Sequence, residues 1–157
     1  MDDSEASEIL IINEQLINYQ VKNMSNFDTV ESAREFFYKD KFAVITGVTL
    51  DELTEDEAIC SLDITDNHRN AYGGVMGGVI FTLADFAFAV LSNQIHQLTV
   101  AQQVDIHYLS APKGERLIAK ATCRKSGRTS SIINVDVSDD TGRDVAQFIG
   151  TGFKLDI

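Results

Sequence analysis

This chain has few residues of the kinds that stabilise small proteins without a large hydrophobic core, such as disulfides or structural metal sites. Its 157 residues include one proline, no tryptophan and only two cysteines, Cys60 and Cys123. Both cysteines lie in apolar, strand-like runs, so we expect two buried free thiols rather than a disulfide. The three histidines, His68, His96 and His107, share no ligand spacing with a cysteine pair, which disfavours a metal site of the structural zinc type.

Positive charge is also scarce. Thirteen lysines and arginines stand against 24 aspartates and glutamates, for a net charge of −11, which disfavours non-specific binding to nucleic acid or to an anionic membrane. The acidic start of the chain lacks the basic region of a signal peptide, and the longest apolar run is expected to be too short to span a bilayer. We therefore expect a cytoplasmic protein built as one domain.

The first part of the chain has apolar residues at helical spacing. Residues 8–24 carry a wide apolar stripe, which predicts a helix packed on the core. Residues 29–43 predict a second helix, with Phe36, Phe37 and Phe42 as its apolar contacts.

Beyond this region the apolar period changes from helical spacing to alternation. Apolar and polar residues alternate from Ala58 to Ile64, a strand pattern. Further strands are predicted at 99–110, 115–125, 130–138 and 144–154. Gly127 and the run 139–142 indicate hairpin turns, so the strands are expected to be antiparallel.

Residues 77–94 predict one long helix that is apolar on nearly every face. Such a helix must be wrapped rather than half exposed, so we expect an α+β fold with a curved antiparallel sheet of five to six strands around it. Asp85 is the only residue between Arg69 and His96 that is charged at neutral pH. An isolated carboxylate in an apolar helix needs a partner, a raised pKa or a function. The alternative is a hydrogen-bonded carboxylate that fixes helix packing.

The loop before this helix and the helix itself follow a fixed pattern: His-x-Asn-x-x-Gly, a Gly-Gly pair, then Leu-x-Asp. The pattern reads His68-Arg69-Asn70, Gly73, Gly77-Gly78 and Leu83-Ala84-Asp85. It resembles the hotdog-fold thioesterases, and within them the PaaI-like acyl-CoA thioesterase group. The likeness covers about residues 32–155. It suggests residues 1–28 as an N-terminal tail and packing helix, and 29–157 as a single hotdog thioesterase domain.

The resemblance implies hydrolysis of small or medium aliphatic or aromatic acyl-CoA thioesters, with no cofactor because coenzyme A is part of the substrate. Asp85 matches the catalytic carboxylate, which attacks the thioester carbonyl or activates water. Gly77 matches the glycine whose backbone N–H polarises that carbonyl, and Asn70 matches the asparagine that orients water or thioester. The expected substrate-binding residues are Gly78, Met76 and His68.

Each assignment has a structural alternative. Gly77 and Gly78 suit close packing of helix on sheet as well as a site, and Asn70 suits an ordinary turn. Met76 stands where the group usually has histidine, and an apolar plug is the favoured interpretation. Ala101 stands where a serine or threonine often assists.

Spacing adds an inference about assembly. Asp85 is eight residues beyond Gly77, hence about 12 Å further along one helix. Both groups cannot touch one thioester carbon, so if both act they come from different chains, and the site lies at a dimer interface. The resemblance suggests a dimer of dimers.

Six of the thirteen positive residues fall within sixteen positions. They are Lys113, Arg116, Lys120, Arg124, Lys125 and Arg128. Arg124, Lys125 and Arg128 flank a predicted hairpin and could bind the phosphates of coenzyme A. The alternative is a solvated outer face of the sheet.

Three other functions are compatible with parts of the sequence. A non-catalytic binder of acyl-CoA or an aromatic acid would fit the polar groups lost at Met76 and Ala101. An enoyl-CoA hydratase or dehydratase would use an Asp-x-x-x-x-His pair, and Asp63 and His68 have that spacing. A thioesterase for an acyl carrier protein would suit the basic cluster, although the net charge of −11 opposes an acidic partner.

Overall fold

The computed structural model describes residues 26–155, and the helix expected at 8–24 lies outside that range. Two short helices come first, α1 (Val30–Phe37) and α2 (Lys41–Thr46). Thr29 caps α1 by accepting a hydrogen bond from the Ser32 backbone N–H at 3.1 Å, which satisfies one of the unpaired donors of the first turn.

The prediction of one continuous helix over 29–43 is wrong. The chain leaves the helix at Tyr38, and the Asp40 side chain accepts a hydrogen bond from the Ala43 N–H at 3.3 Å, which starts α2. Aspartate favours a cap because its side chain competes with helical backbone bonds. The expected core contact of Phe42 is also wrong: its side chain is 71% exposed, whereas Phe37 is buried.

Six strands form one antiparallel sheet in the order β1-β2-β4-β5-β6-β3. They are β1 (Thr49–Leu53), β2 (Glu57–Asp63), β3 (Thr99–Tyr108), β4 (Arg116–Ser126), β5 (Ser130–Asp139) and β6 (Asp144–Lys154). The five predicted strands are confirmed, and β1 is an addition. In β4, Leu117, Ala119 and Ala121 are buried while Lys120 points outward, as alternation requires.

The predicted central helix is confirmed as α3 (Gly77–Ile95), and its buried face packs on five of the six strands. Gly150 on β6 makes room for this packing: a Cβ there would lie 2.5 Å from the Phe88 ring. By length and composition alone α3 could cross a membrane, contrary to the sequence expectation, but most of it is buried inside the fold. Its apolar character therefore serves the core.

One stripe of α3 faces away from the sheet. Gly78, Thr82, Asp85 and Ala89 recur at helical spacing and are half-buried or exposed. Strand β3 borders the sheet, and seven of its ten residues are exposed, so the part of the chain described leaves one long strand edge uncovered. Among residues 26–155, neither surface is fully covered.

The two cysteines are free thiols, as predicted. Cys60 is fully buried, but Cys123 is only partly so. Burial raises the pKa of both thiols, which keeps them protonated and poorly nucleophilic.

Candidate active site

His68 holds the loop that leads into α3. Its Nδ1 accepts a hydrogen bond from the Thr65 N–H at 3.0 Å, so its Nε2 carries the proton and donates to the Thr46 carbonyl at 2.9 Å. The His68 carbonyl then accepts from the Met76 N–H at 2.8 Å. Both ring nitrogens are thus engaged by the backbone, and His68 ties the loop to the end of α2.

Asn70 organises the tight turn within this loop. Its Oδ1 accepts hydrogen bonds from the backbone N–H groups of Tyr72 at 3.0 Å and Gly74 at 3.2 Å. Gly73 takes a positive φ of 82°, which glycine adopts without strain. The amide oxygen of Asn70 therefore serves the turn, while its Nδ2 has no hydrogen bond within residues 26–155. Tyr72, at the tip, is fully exposed.

The loop delivers two backbone donors at the start of α3. Met76 is the N-cap residue and offers no side-chain cap, so the Gly77 and Gly78 N–H groups have no acceptor in the described part of the chain. Unpaired first-turn donors and the positive end of the helix dipole together favour an anionic oxygen. Gly77 and Gly78 have no side chains of their own to block these donors, although the Tyr108 ring lies against Gly77 and the Met76 side chain lies near Gly78.

Asp85 lies on the stripe of α3 that faces away from the sheet and is half-buried. No hydrogen bond or ion pair to its carboxylate is present within residues 26–155. Burial raises the pKa of Asp85 above its ordinary value, and the nearby Asp40 carboxylate raises it further. A carboxylate with weakened solvation and free lone pairs is a candidate base or nucleophile.

The helix separates Asp85 from Gly77 of the same chain by about 12 Å along its axis. One chain thus carries both parts of the predicted site but does not bring them together. The predicted phosphate-binding residues lie further from Gly77 of the same chain than Asp85 does. Their hairpin, which includes Gly127, contacts His96 at the C-terminal end of α3, opposite the end that begins at Gly77.

The basic cluster divides into paired and unpaired residues. Arg116 is 3.1 Å from the Asp63 carboxylate, and Lys120 is 2.8 Å from that of Glu57. The three predicted phosphate ligands, Arg124, Lys125 and Arg128, are exposed and have no ion pair in the described chain. Lys113 is likewise exposed and without an ion pair among residues 26–155, so four of the six cations are available to an anion, three of them at the hairpin.

A mainly apolar cavity of about 420 Å³ opens next to α3, with Arg34, Thr49 and Asp51 as its polar lining. It is bounded by α1, α2, β1 and the face of α3 that carries Phe86, the residue after Asp85. Its apolar lining consists of Phe37, Tyr38, Val44, Val48, Leu50 and Phe86. A cavity of this size lies in the range of small-molecule pockets.

Sequence reasoning missed two residues that contact the site. Asp40 perturbs Asp85 across 45 positions of sequence, and the Tyr108 hydroxyl donates a hydrogen bond to the Gly77 carbonyl at 3.1 Å. The capping preference of aspartate could have located the start of α2. No local signal could have placed Tyr108 against Gly77.

The residues of the hydratase alternative do not form an acid–base pair. The Asp63 carboxylate is held by Arg116, and both nitrogens of His68 are engaged. Between residues 26 and 155, no three His, Cys, Asp or Glu side chains are arranged to hold a metal ion.

Comparison with known proteins places this geometry in a family. The model of the thioesterase superfamily matches residues 72–146. Human acyl-coenzyme A thioesterase 13 is 31% identical over 108 residues, which cover 66% of this chain and 77% of the human protein.

Solved structures agree. The PaaI protein of Escherichia coli, from the phenylacetic acid degradation operon, superposes with a TM-score of 0.75 at 25% identity, covering 79% of this chain and 91% of that one. A hypothetical thioesterase from Streptococcus pneumoniae, solved with coenzyme A, gives 0.69 at 26% identity, covering 74% and 94%. The chain therefore belongs to the thioesterase superfamily and has the hotdog fold of its PaaI-like group.

Proposed function

We propose that this chain, a thioester hydrolase by family, cleaves acyl-coenzyme A to a free acid and coenzyme A, at a site completed by a second copy. The observation that carries the proposal is Asp85. It is a half-buried carboxylate with a raised pKa and no partner in the described chain, on a helix whose N-terminal N–H groups are also free.

The chemistry follows from these groups. The thioester oxygen accepts hydrogen bonds from the Gly77 and Gly78 N–H groups, which stabilise the negative charge of the tetrahedral intermediate; one such donor contributes roughly 3 kcal/mol. Asp85 accepts a proton from water as the water oxygen bonds to the carbonyl carbon. The C–S bond then breaks, and the proton passes to the departing thiolate. Direct attack by the carboxylate, followed by hydrolysis of the anhydride, is the other route.

Two open surfaces support a site shared between chains. The uncovered edge of β3 offers unpaired backbone groups to a second β3, and the stripe containing Asp85 faces away from its own sheet. A two-fold dimer would bring Gly77 of one chain to Asp85 of the other, twice.

The unpaired cations of the β4–β5 hairpin suit the phosphates of coenzyme A. Arg124, Lys125 and Arg128 have no ion pair among residues 26–155, and Gly127 of their hairpin contacts His96 at the end of α3 remote from Gly77 of the same chain. In a shared site they would accompany Asp85 of their own chain. A solved neighbour carries coenzyme A, which is consistent with this class of substrate.

The cavity next to Phe86 suits the acyl group. Its volume of about 420 Å³ is larger than an acetyl group would fill. The mainly apolar and aromatic lining favours a medium aliphatic or aromatic acyl group. The same cavity adjoins α2, whose cap residue Asp40 raises the pKa of Asp85.

A further contact surface supports a dimer of dimers. The outer face of the sheet carries exposed Ile132, Ile149 and Phe153, and the register places Val100 beside Phe153. Contiguous apolar patches of this kind mark association sites. We expect Phe153→Lys to reduce the assembly by half in light scattering, whereas an unchanged mass would remove this surface from the proposal.

The first test is release of free thiol from a panel of acyl-CoA thioesters, with Asp85→Asn in parallel. Turnover that collapses in Asp85→Asn while the variant still binds acyl-CoA supports the proposal and names the acyl class. Binding without turnover in both proteins would instead support the non-catalytic binder, with Met76 in place of a polar group.

Two matched pairs of variants test the subsites. Val44→Phe, which narrows the cavity, should shift preference to shorter acyl groups, while Ile45→Phe, on an exposed neighbour in α2, should not. Replacing Arg124, Lys125 and Arg128 by Gln should raise KM for acyl-CoA and leave the N-acetylcysteamine thioester, which lacks the phosphates, unaffected. Lys120→Gln, which removes one charge from β4 outside the hairpin, is compared with each single replacement of the three. An equal rise in KM for both substrates would refute phosphate binding.

A further inference from the structure

Tyr108 closes over the start of α3 from the end of β3. Its hydroxyl donates to the Gly77 carbonyl at 3.1 Å, across 31 positions of sequence. Its ring covers the same residue: a Cβ on Gly77 would lie 3.3 Å from a ring carbon. The contact is therefore both a hydrogen bond and a close approach that a glycine at position 77 permits.

The Gly77 carbonyl shares a rigid peptide plane with the Gly78 N–H. A hydrogen bond to the oxygen of this unit fixes the direction of its N–H. It also polarises the unit, which makes the N–H a stronger donor. The Gly77 N–H belongs to the preceding unit, whose Met76 carbonyl already accepts from the Val79 N–H at 3.0 Å. The N–H groups of Gly77 and Gly78 are thus each in a peptide unit whose carbonyl oxygen already accepts a hydrogen bond.

We propose that Tyr108 is a positioning residue of the active site, which orients and strengthens the Gly78 N–H as a donor to the thioester oxygen. The inference rests on the proposed thioesterase function. Tyr108 does not touch the substrate in this scheme, because its hydroxyl proton is directed at the Gly77 carbonyl. Its effect is largest where negative charge on the thioester oxygen is largest, in the tetrahedral intermediate.

The test is Tyr108→Phe, which keeps the ring over Gly77 and removes the hydroxyl. The kcat for acyl-CoA should fall about tenfold, the order expected for loss of one supporting hydrogen bond, with KM within about twofold. Tyr72→Phe removes a fully exposed hydroxyl with no partner in the described chain and serves as the matched control.

Two binding measurements separate positioning from mere support of the fold. A trifluoromethyl ketone analogue of acyl-CoA, which carries an anionic oxygen when bound, should bind Tyr108→Phe about tenfold more weakly. An S-(2-oxoalkyl)-CoA, which keeps a neutral carbonyl, should bind equally to both proteins. The Gly78 amide proton should also shift upfield in an ¹⁵N-resolved NMR spectrum of the variant, as its donor weakens.

The outcomes distinguish the two proposals. An active wild-type enzyme whose Tyr108→Phe variant matches it in kcat and in both affinities overturns the role of Tyr108 alone. Equal weakening of both analogues would also overturn it, since a loosened fold does not distinguish neutral from anionic oxygen. A wild-type chain that hydrolyses no thioester overturns the proposed function, and the role of Tyr108 with it.

Discussion

The separation of Gly77 from Asp85 leads to a quantitative prediction about mixed dimers. Two inactive variants should restore activity when combined, because each supplies the group that the other lacks. Gly77→Pro removes the N–H of residue 77 at a position where proline is favoured. Met76 already has the φ of −66° and ψ of 133° that a residue before proline prefers. Asp85→Asn removes the carboxylate.

The expected recovery follows from counting sites. Equal amounts of the two variants, mixed at random, give half heterodimers, and each heterodimer has one intact site of its two. The mixture should therefore reach about a quarter of the wild-type rate at equal total protein. Each variant alone should fall at least about a hundredfold, the loss expected for one donor to an oxyanion in Gly77→Pro and for a general base in Asp85→Asn.

The assay is thiol release after co-refolding, and two controls sharpen it. Gly77→Ala keeps the N–H but makes the same Cβ contact with Tyr108, so it separates the loss of a donor from crowding. The second control is wild type co-refolded with the Gly77→Pro/Asp85→Asn double variant. If each site is shared between chains, the heterodimer has no intact site and the mixture should retain about a quarter of the wild-type rate. If each site lies within one chain, the heterodimer keeps one intact site and the mixture should retain about half. No recovery in the first mixture and one half in the second would refute the shared site.

Three further predictions concern pH and packing. Because the folded-state pKa of Asp85 is raised, its ionised form destabilises the fold. In thermal melts, Asp85→Asn should therefore unfold at a higher temperature than wild type at pH 7. The difference in melting temperature should disappear below about pH 4, where Asp85 is protonated in both the folded and the unfolded chain. Asp40→Asn retains a capping side chain but removes the negative charge near Asp85. The acid limb of the pH profile of kcat/KM, which requires ionised Asp85, should therefore move to lower pH. An unchanged acid limb would mean that Asp40 does not affect the reactive carboxylate. Gly150→Ala places a Cβ 2.5 Å from the buried Phe88 ring and should cost about 1–3 kcal/mol of unfolding free energy in urea titration, whereas neutrality would mean that the ring can shift.

The architecture could be predicted because burial imposes a period on the sequence. Strand β4 alternates Leu117, Ala119 and Ala121 with polar residues, and α3 is apolar on nearly every face. Strand β1 was not predicted because Asp51 and Glu52 interrupt its alternation of apolar and polar residues. A strand at the edge of the sheet needs few buried side chains, so its sequence pattern is weak. The division of 29–43 into two helices depended on one capping side chain, Asp40, rather than on apolar spacing.

The site was predictable only as far as its parts lie close together in sequence. The spacing of Gly77 and Asp85 on one helix was enough to place both and to predict that they cannot meet in one chain. The contact of Tyr108 with Gly77, and the effect of Asp40 on Asp85, join distant segments. Such contacts depend on how the sheet closes around the helix and leave no periodic signature.

The short helices α1 and α2 stand apart from the proposed hydrolytic groups, yet they form a wall of the proposed acyl cavity and bring Asp40 toward Asp85. None of the proposed hydrolytic residues belongs to them, and they contribute no strand to the sheet. If the proposed function holds, substrate preference and working pH depend on a segment that can change while the catalytic groups stay as they are. Exchanging this segment between related enzymes would be a direct way to transfer both properties together.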